Sequence, residues 1–415
     1  MSPKLKDLYR RIGAAGPRAV VSFLLLAGSG LANHAALGAE WSFAPVLGIA
    51  VDADDNANLS SRTDQEEEIT GGIASAGVGI NYRSQLYSAN FFPLLISRRY
   101  PGDSDFDDDD QIVTSRVQRS TRNGSLALGV NFRRDYIRTG ERADVDFDVE
   151  DPELIDDDDS GRVGARVRRI KWDVRPAWSF RISDTSNMRL QVQYRDVDYD
   201  ETEVTRLVDY NSTAARARYT RRLSERNTGV LELVSLWYNA DEVDNDSFSY
   251  GFRAGFRRRL SRKTSFEVLG GAGTAEQADG GSSTNYLARV NVVRRLETIR
   301  LLAQYQRTVG GSGSGTLTAR DQINVAVSRQ LSELLNAGLG VVAYQTSSIE
   351  DDVDFDERTY VQLRSTFGWQ LTRKLNLEAN YRYTLIDRDD EDESANSNAI
   401  TVWLRYRPNP TSISR

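Results

Sequence analysis

The sequence predicts an all-β chain: a transmembrane, antiparallel, up-and-down β-barrel of about eighteen strands, with sixteen as the smaller count because the first three segments are the weakest. Three observations predict it. From Trp41 onward apolar residues recur with a period of two rather than 3.6. The alternating runs are about 12–16 residues long, well beyond the ~5–6 of most globular strands. The connections between them alternate between short turns and longer acidic stretches. By length alone, 415 residues would suggest two or three soluble domains, but the pattern runs on through the chain.

The chain opens with the three parts of a secretory signal. Lys4, Lys6, Arg10, Arg11 and Arg18 form a basic stretch, 19–27 an apolar one, and small residues lead to a cut near Ala39. The apolar run is about half the ~20 residues of a spanning helix. Residues 1–39 are therefore expected to be a signal peptide cleaved after Sec-dependent export, and 40–415 one barrel domain. The leader holds five bases and one acid, a net +4, so the remainder carries −11 where the whole chain carries −7.

The strands follow. In 246–260, Phe248, Tyr250, Phe252, Ala254 and Phe256 share one face, and Ser249, Gly251, Arg253, Gly255, Arg257 and Arg259 the other. In 375–385, Leu375, Leu377, Ala379, Tyr381, Tyr383 and Leu385 oppose Asn376, Glu378, Asn380, Arg382 and Thr384. Eighteen such segments run from 43–51 to 397–407, and an even number leaves both termini on the periplasmic side. Segment 162–181 changes parity between Val163, Ala165, Val167 and Trp172, Val174, Trp178, which predicts a β-bulge near Arg169 to Lys171.

The turns carry a weak repeat, as in Thr220-Arg-Arg-Leu-Ser-Glu-Arg226, Arg257-Arg-Arg-Leu-Ser-Arg-Lys263 and Gly368-Trp-Gln-Leu-Thr-Arg-Lys374. Its period of about 35–41 residues holds two long strands, which makes it a hairpin repeat rather than a propeller blade or solenoid unit. The opposite connections are acidic, as in 103–110, 144–159 and 241–246. Short periplasmic turns and longer outer loops are the asymmetry of outer-membrane barrels. Trp172, Trp178, Trp237, Trp369 and Tyr406 are expected in interfacial girdles. Trp403 has the parity of the polar face and is expected inside.

Composition then limits the chemistry. There is no Cys, and the one His, His34, lies in the leader. The mature chain is thereby denied Ser-His-Asp and Cys-His nucleophilic sites, thiol redox chemistry, disulfides and ordinary zinc sites. No motif calls for a cofactor or for enzymatic catalysis, and net negative charge disfavours nucleic acid.

Arginine dominates the polar faces. Arg133, Arg166, Arg168, Arg195, Arg216, Arg218, Arg253, Arg257, Arg289, Arg320, Arg364, Arg382 and Arg405 are assigned to the lumen, with Arg259 and Arg407 near its end and few carboxylates among them. Guanidinium groups bind carboxylates and phosphates bidentately, and rings of Arg or Lys line anion pathways. The pattern fits a conduit for anionic or acidic-sugar solutes, with a general anion-preferring diffusion porin and a non-conducting structural or adhesive surface barrel as the alternatives. The other reading is a plugged interior in which Arg pairs with acids from neighbouring strands.

The acidic loops repeat one pentapeptide: Asp144, Asp146 and Asp148 in the first copy, Asp352, Asp354 and Asp356 in the second, with 103–107 close to both. Three carboxylates on one side of an extended segment could take Ca²⁺ or Mg²⁺ through oxygen ligands. No EF-hand is present: Val149 stands where the Gly would be and Ile155 where the Glu would be. Solvated loops, or divalent bridges to lipopolysaccharide phosphates, are the other readings.

The start of the mature chain, Trp41-Ser-Phe-Ala-Pro45, the run from Asp52 to Leu59, the Arg-Leu-Ser-x-Arg hairpins and the ending Trp403-Leu-Arg-Tyr-Arg407 together resemble the β-barrel porins of Gram-negative bacteria encoded with exopolysaccharide biosynthesis genes. In general plan the chain is also similar to arginine-lined alginate-export barrels. The resemblance implies an outer-membrane passage for an acidic exopolysaccharide. It also implies lipopolysaccharide, a periplasmic export component and the barrel-assembly machinery as partners. One departure is the C-terminus, where Tyr406 is followed by nine further residues instead of closing the chain.

Overall fold

The computed structural model describes residues 39–142, 166–200, 207–241, 246–276, 281–349, 357–389 and 394–414. The leader and the loop carboxylates Asp144, Asp146, Asp148, Asp352, Asp354 and Asp356 lie outside them. The strands begin with β1 (Glu40–Asp54), β2 (Ile69–Arg83), β3 (Tyr87–Arg99), β4 (Asp108–Thr121), β5 (Gly124–Tyr136) and β6 (Arg168–Ser183). There follow β7 (Ser186–Tyr199), β8 (Tyr210–Arg222), β9 (Asn227–Ala240), β10 (Ser247–Arg259), β11 (Thr264–Glu276) and β12 (Ser282–Arg295). The last are β13 (Ile299–Gly311), β14 (Leu317–Gln330), β15 (Leu335–Ser348), β16 (Arg358–Gln370), β17 (Leu375–Arg388), β18 (Ala395–Tyr406) and a short β19 (Thr411–Ser414).

Each of the first eighteen strands pairs antiparallel with its sequence neighbours, and β1 pairs with β18 from Leu47↔Tyr406 to Asp54↔Ala399. The sheet is thus a closed eighteen-stranded barrel. Pro408 and Pro410 interrupt the last strand, since proline supplies no ladder donor. Past them, β19 resumes pairing with β1 from Phe43↔Thr411 to Glu40↔Ser414.

The two faces are inverted relative to a water-soluble protein. Along β1, Leu47, Ile49 and Val51 are 51–63% exposed on the outside, while Asp52 and Asp54 are buried inside. Along β10, Tyr250, Phe252 and Phe256 face out and Arg253 is buried. Such a surface suits hydrocarbon, where backbone groups must be satisfied internally, and the closed ladder does this over most of the circumference. Outward aromatics cluster toward the strand ends: Trp172 with Phe132 (4.7 Å between ring centroids) and Trp237 with Phe248 (4.9 Å) at one end, Trp178 with Phe180 (4.5 Å) and Trp41 with Tyr82 (4.8 Å) at the other.

The repeated turns explain themselves locally. The hydroxyls of Ser224, Ser332 and Thr372 accept hydrogen bonds from the backbone N–H of Asn227, Leu335 and Leu375, each at 3.1 Å. The preceding Leu223, Leu331 and Leu371 stay exposed on the outer side. The repeated dipeptide is a hydrophobic foot followed by a turn cap.

One expectation is corrected here. The β5–β6 ladder runs without interruption from Tyr136↔Arg168 to Gly124↔Phe180, so there is no bulge at Arg169 to Lys171. The parity change vanishes because β6 begins only at Arg168; Val167 is buried in an apolar cluster with Val197 and Tyr199. The register shift of β6 lies instead at Arg181/Ser183, beside the turn.

At the end with long connections, loops fold against the inner wall. Residue Leu59, with φ of +51°, packs with Tyr344, Tyr360 and Ile386 of β15–β17. Tyr100 and Phe106 pack with Ala57 and Ile69. On the other side Ile137, Leu207, Val208 and Ile349 join Tyr210, Tyr238 and Leu317. These clusters narrow that end. The short-turn end holds two vestibules of about 860 and 850 Å³.

Candidate functional site

The register brings the interior charges together. Glu232 of β9 lies directly opposite Arg218 of β8 and Arg253 of β10. Cross-strand neighbours on one face are within side-chain reach, and Glu232, with no exposure at all, gathers four guanidiniums. Arg218 Nη1 lies 3.3 Å from its carboxylate, Arg289 Nη1 3.5 Å and Arg216 Nε 4.0 Å, and Arg253 donates to it as well. Glu267 of β11, opposite Arg257, accepts from Arg218 Nη2 at 2.6 Å and pairs with Arg257 Nη2 at 2.8 Å. Five guanidiniums thus surround two carboxylates, an excess of three positive charges among the described residues. Arg257 leaves about half its side chain open to the larger vestibule.

Smaller pairings are spread around the rest of the inner wall. Asp173 accepts from Gln193 Nε2 at 2.7 Å and from Arg195 Nη2 at 3.4 Å, and also pairs with Arg175. Arg169 Nε donates to Asp135 at 2.8 Å. Arg382 Nη2 reaches Asp54 at 3.3 Å, and Thr401 and Tyr100 donate to Asp52. Arg405 Nε pairs with Glu378 at 2.9 Å and lies over the Trp403 ring at 4.6 Å. Arg320 stacks 3.6 Å from the Tyr344 ring centroid.

Of the arginines expected to line the lumen, Arg216, Arg218, Arg253, Arg257 and Arg289 form the central cluster. Arg133 is inward beside Lys171, and Arg364 beside Arg382. Arg195, Arg320, Arg382 and Arg405 are inward at separate points of the circumference. Two are placed elsewhere. Arg168 shares the outer face with Trp172 and Trp178, where it stacks on Tyr136 at 5.0 Å and donates to its hydroxyl. Arg166 sits at the long-loop rim, 3.5 Å from Asp105 and 4.7 Å from the Phe106 ring centroid. Their inward assignment follows the parity of Val163, Ala165 and Val167, which precede the first residue of β6.

Sequence reasoning missed the carboxylates and several inward cations, among them Arg98, Arg116, Arg169 and Lys171. Glu232 left one signal: it is the only charged residue of β9, in a strand apolar on both faces. The expectation of few interior acids is corrected, since Asp52, Asp54, Asp108, Asp110, Asp135, Asp173, Glu232 and Glu267 are all buried. Among the described residues no group of three or more acidic side chains is arranged to hold a metal ion.

An even-stranded closed barrel, apolar outside and charged inside, with short turns at one end, is a transmembrane β-barrel of the outer-membrane type. No protein-family model matches the sequence, and no curated protein matches it. Solved barrels are similar to it in outline. Pseudomonas aeruginosa OccK2 (OpdF) matches with a TM-score of 0.46 and 9% identity over 89% of this chain and 98% of its own. The outer membrane protein opdK of the same species gives 0.45 and 10% over 89% and 99%, and OprD 0.44 and 9% over 90% and 95%. The architecture described above rests on this chain's own ladders.

Proposed function

We propose that the chain is an outer-membrane channel whose arginine-rich interior passes anionic solutes, and that its cargo is an acidic exopolysaccharide moving toward the cell surface. The observation that carries the reading is the cluster of five guanidiniums around Glu232 and Glu267, opening through Arg257 into the 860 Å³ vestibule. A low-dielectric wall with surplus positive charge raises the local concentration of anions. The partial pairing with carboxylates keeps each site weak, and conduction needs sites a solute can leave. The short-turn end, which carries both ends of the barrel, would face the periplasm after removal of the leader, and the vestibules there would receive polymer from a periplasmic export component.

A second reading has its own support. The apolar clusters that pack loops against the inner wall at the opposite end suit a non-conducting surface barrel.

Planar-bilayer recording of the purified protein separates the two. The expected result is a conductance selective for anions, blocked by an acidic polysaccharide and not by a neutral dextran. Neutralising Arg216, Arg257 and Arg382 together should lower the anion preference several-fold. Absence of conductance would sink the channel reading, and cation selectivity would sink the arginine argument.

A further inference from the structure

The barrel wall has one weak seam among the described residues. β12 and β13 are paired only from Ala288↔Arg307 to Arg295↔Arg300. The upper part of β12, Ser282 to Leu287, is laddered to β11 alone, and the upper part of β13, Thr308 to Gly311, to β14 alone. The β13–β14 hairpin leaves the wall and bends inward. Gly311 lies against the Tyr238 ring of β9, where a Cβ would come within 2.2 Å of ring carbon. The Tyr238 hydroxyl donates to the Ser312 carbonyl at 2.6 Å, and Val208 N–H donates to the Gly313 carbonyl at 2.8 Å.

Behind the seam lies a cavity of about 130 Å³, lined by both of its edges: Leu287 from β12 and Val309 to Gly311 from β13. Val234 and Leu236 add apolar wall, and Arg195, Arg216 and Arg253 add cationic wall. In front of the seam, on the outer face, Tyr286 is 56% exposed. The Arg307 guanidinium stacks 4.1 Å from its ring centroid, donates to its hydroxyl at 3.0 Å and pairs with Asp321. An aromatic and a cation thus stand on the lipid-facing side of the seam, and a pocket that is half apolar and half basic lies on its inner side.

We infer that the β12–β13 seam is a lateral port for a fatty-acid anion, its carboxylate held by Arg216 and its chain trailing through the gap into the lipid. The chemistry selects this ligand. A guanidinium matches a carboxylate bidentately, and the excess charge around Glu232 favours an added anion over a neutral head. At 130 Å³ the cavity holds a head and the first few methylenes, too little for a two-chained lipid. This port goes beyond the axial channel and does not depend on ion conduction.

The test uses the absence of cysteine from the chain. Continuing the β12–β13 register would set Tyr286 opposite Val309, so a Tyr286→Cys/Val309→Cys pair closes the seam on oxidation. Binding of 11-dansylaminoundecanoate is followed by fluorescence with the full chain in lipid nanodiscs. Wild type should bind saturably, with displacement by oleate and not by oleyl alcohol. Oxidation of the pair should abolish binding and reduction restore it. Arg216→Gln should weaken binding roughly ten- to a hundredfold, the loss of a charge-assisted pair. If the disulfide fails to form, Val309→Trp fills the cavity and should abolish binding in protein shown folded by its heat-shifted gel mobility. Non-saturable binding, equal displacement by oleyl alcohol, or binding unchanged in both Arg216→Gln and the sealed or filled variant would overturn the port.

Discussion

Glu232 holds apart four guanidiniums that would otherwise face one another without an intervening charge. Removing one partner of a buried ionic cluster typically costs about 3–5 kcal/mol, because the remaining charges stay desolvated. Glu232→Gln is therefore expected to lower the free energy of unfolding by that amount, measured by denaturant titration in lipid vesicles. Where the variant still inserts, its anion selectivity should rise. Glu297, exposed and 3.4 Å from Lys263, is the contrast: Glu297→Ala should change stability by less than about 1 kcal/mol. The difference between these two glutamates was not legible in the sequence. An inward arginine on an alternating strand announces itself through repetition over many strands. A single carboxylate among apolar neighbours gains its meaning only from register, which sets Arg218 and Arg253 beside it.

At the scale of elements, the strands were legible because alternation is a property of each strand alone. The exceptions show where that stops. In β3, Phe92, Leu94 and Ile96 share the inner face with Arg98, so its two faces are both apolar. The inward residues Tyr344, Tyr360 and Ile386 interrupt the polar inner face, and the loop carrying Leu59 lies on them. That loop covers them through Leu59. Leu59→Asp buries a charge among three apolar side chains and should free the loop from the wall. The expected outcome is a larger single-channel conductance with the barrel intact, against an unchanged conductance if the loop does not border the pathway. Tyr238→Phe makes the same point on the other side. It removes the hydroxyl that holds Ser312, and limited proteolysis should then cut the β13–β14 hairpin faster.

For the whole molecule the decisive event is closure. β1 is laddered on both edges, by β2 along its full length and by β18 and then β19 on the other side. Deleting 408–415 removes the four β1–β19 pairs and leaves the eight between β1 and β18. The truncated chain should still close and keep its heat-modifiable gel mobility. It should lose stability on the order of 2–4 kcal/mol, from four pairs at a net 0.5–1 kcal/mol each. Loss of the folded band would show that β19 is required for closure. The eighteen strands and the inside–outside sense were readable from period and turn length. The inward-leaning hairpin and the open upper edge of β12 were not, because both come from how far neighbouring strands stay together, which no single strand encodes.

The Leu-Ser and Leu-Thr turns carry a consequence for how such a chain can change over time. Each is closed by a hydroxyl from its own hairpin, within three residues, and borrows nothing from the neighbours. A hairpin of this kind is a self-contained cassette of about three dozen codons. Copying or deleting one alters the circumference by two strands and preserves the even count, with the same face left toward lipid. Barrel width in this architecture is thus open to single duplication events, whereas the charge cluster at Glu232, which draws on β8, β9, β10 and β12, can only be inherited or lost as a block.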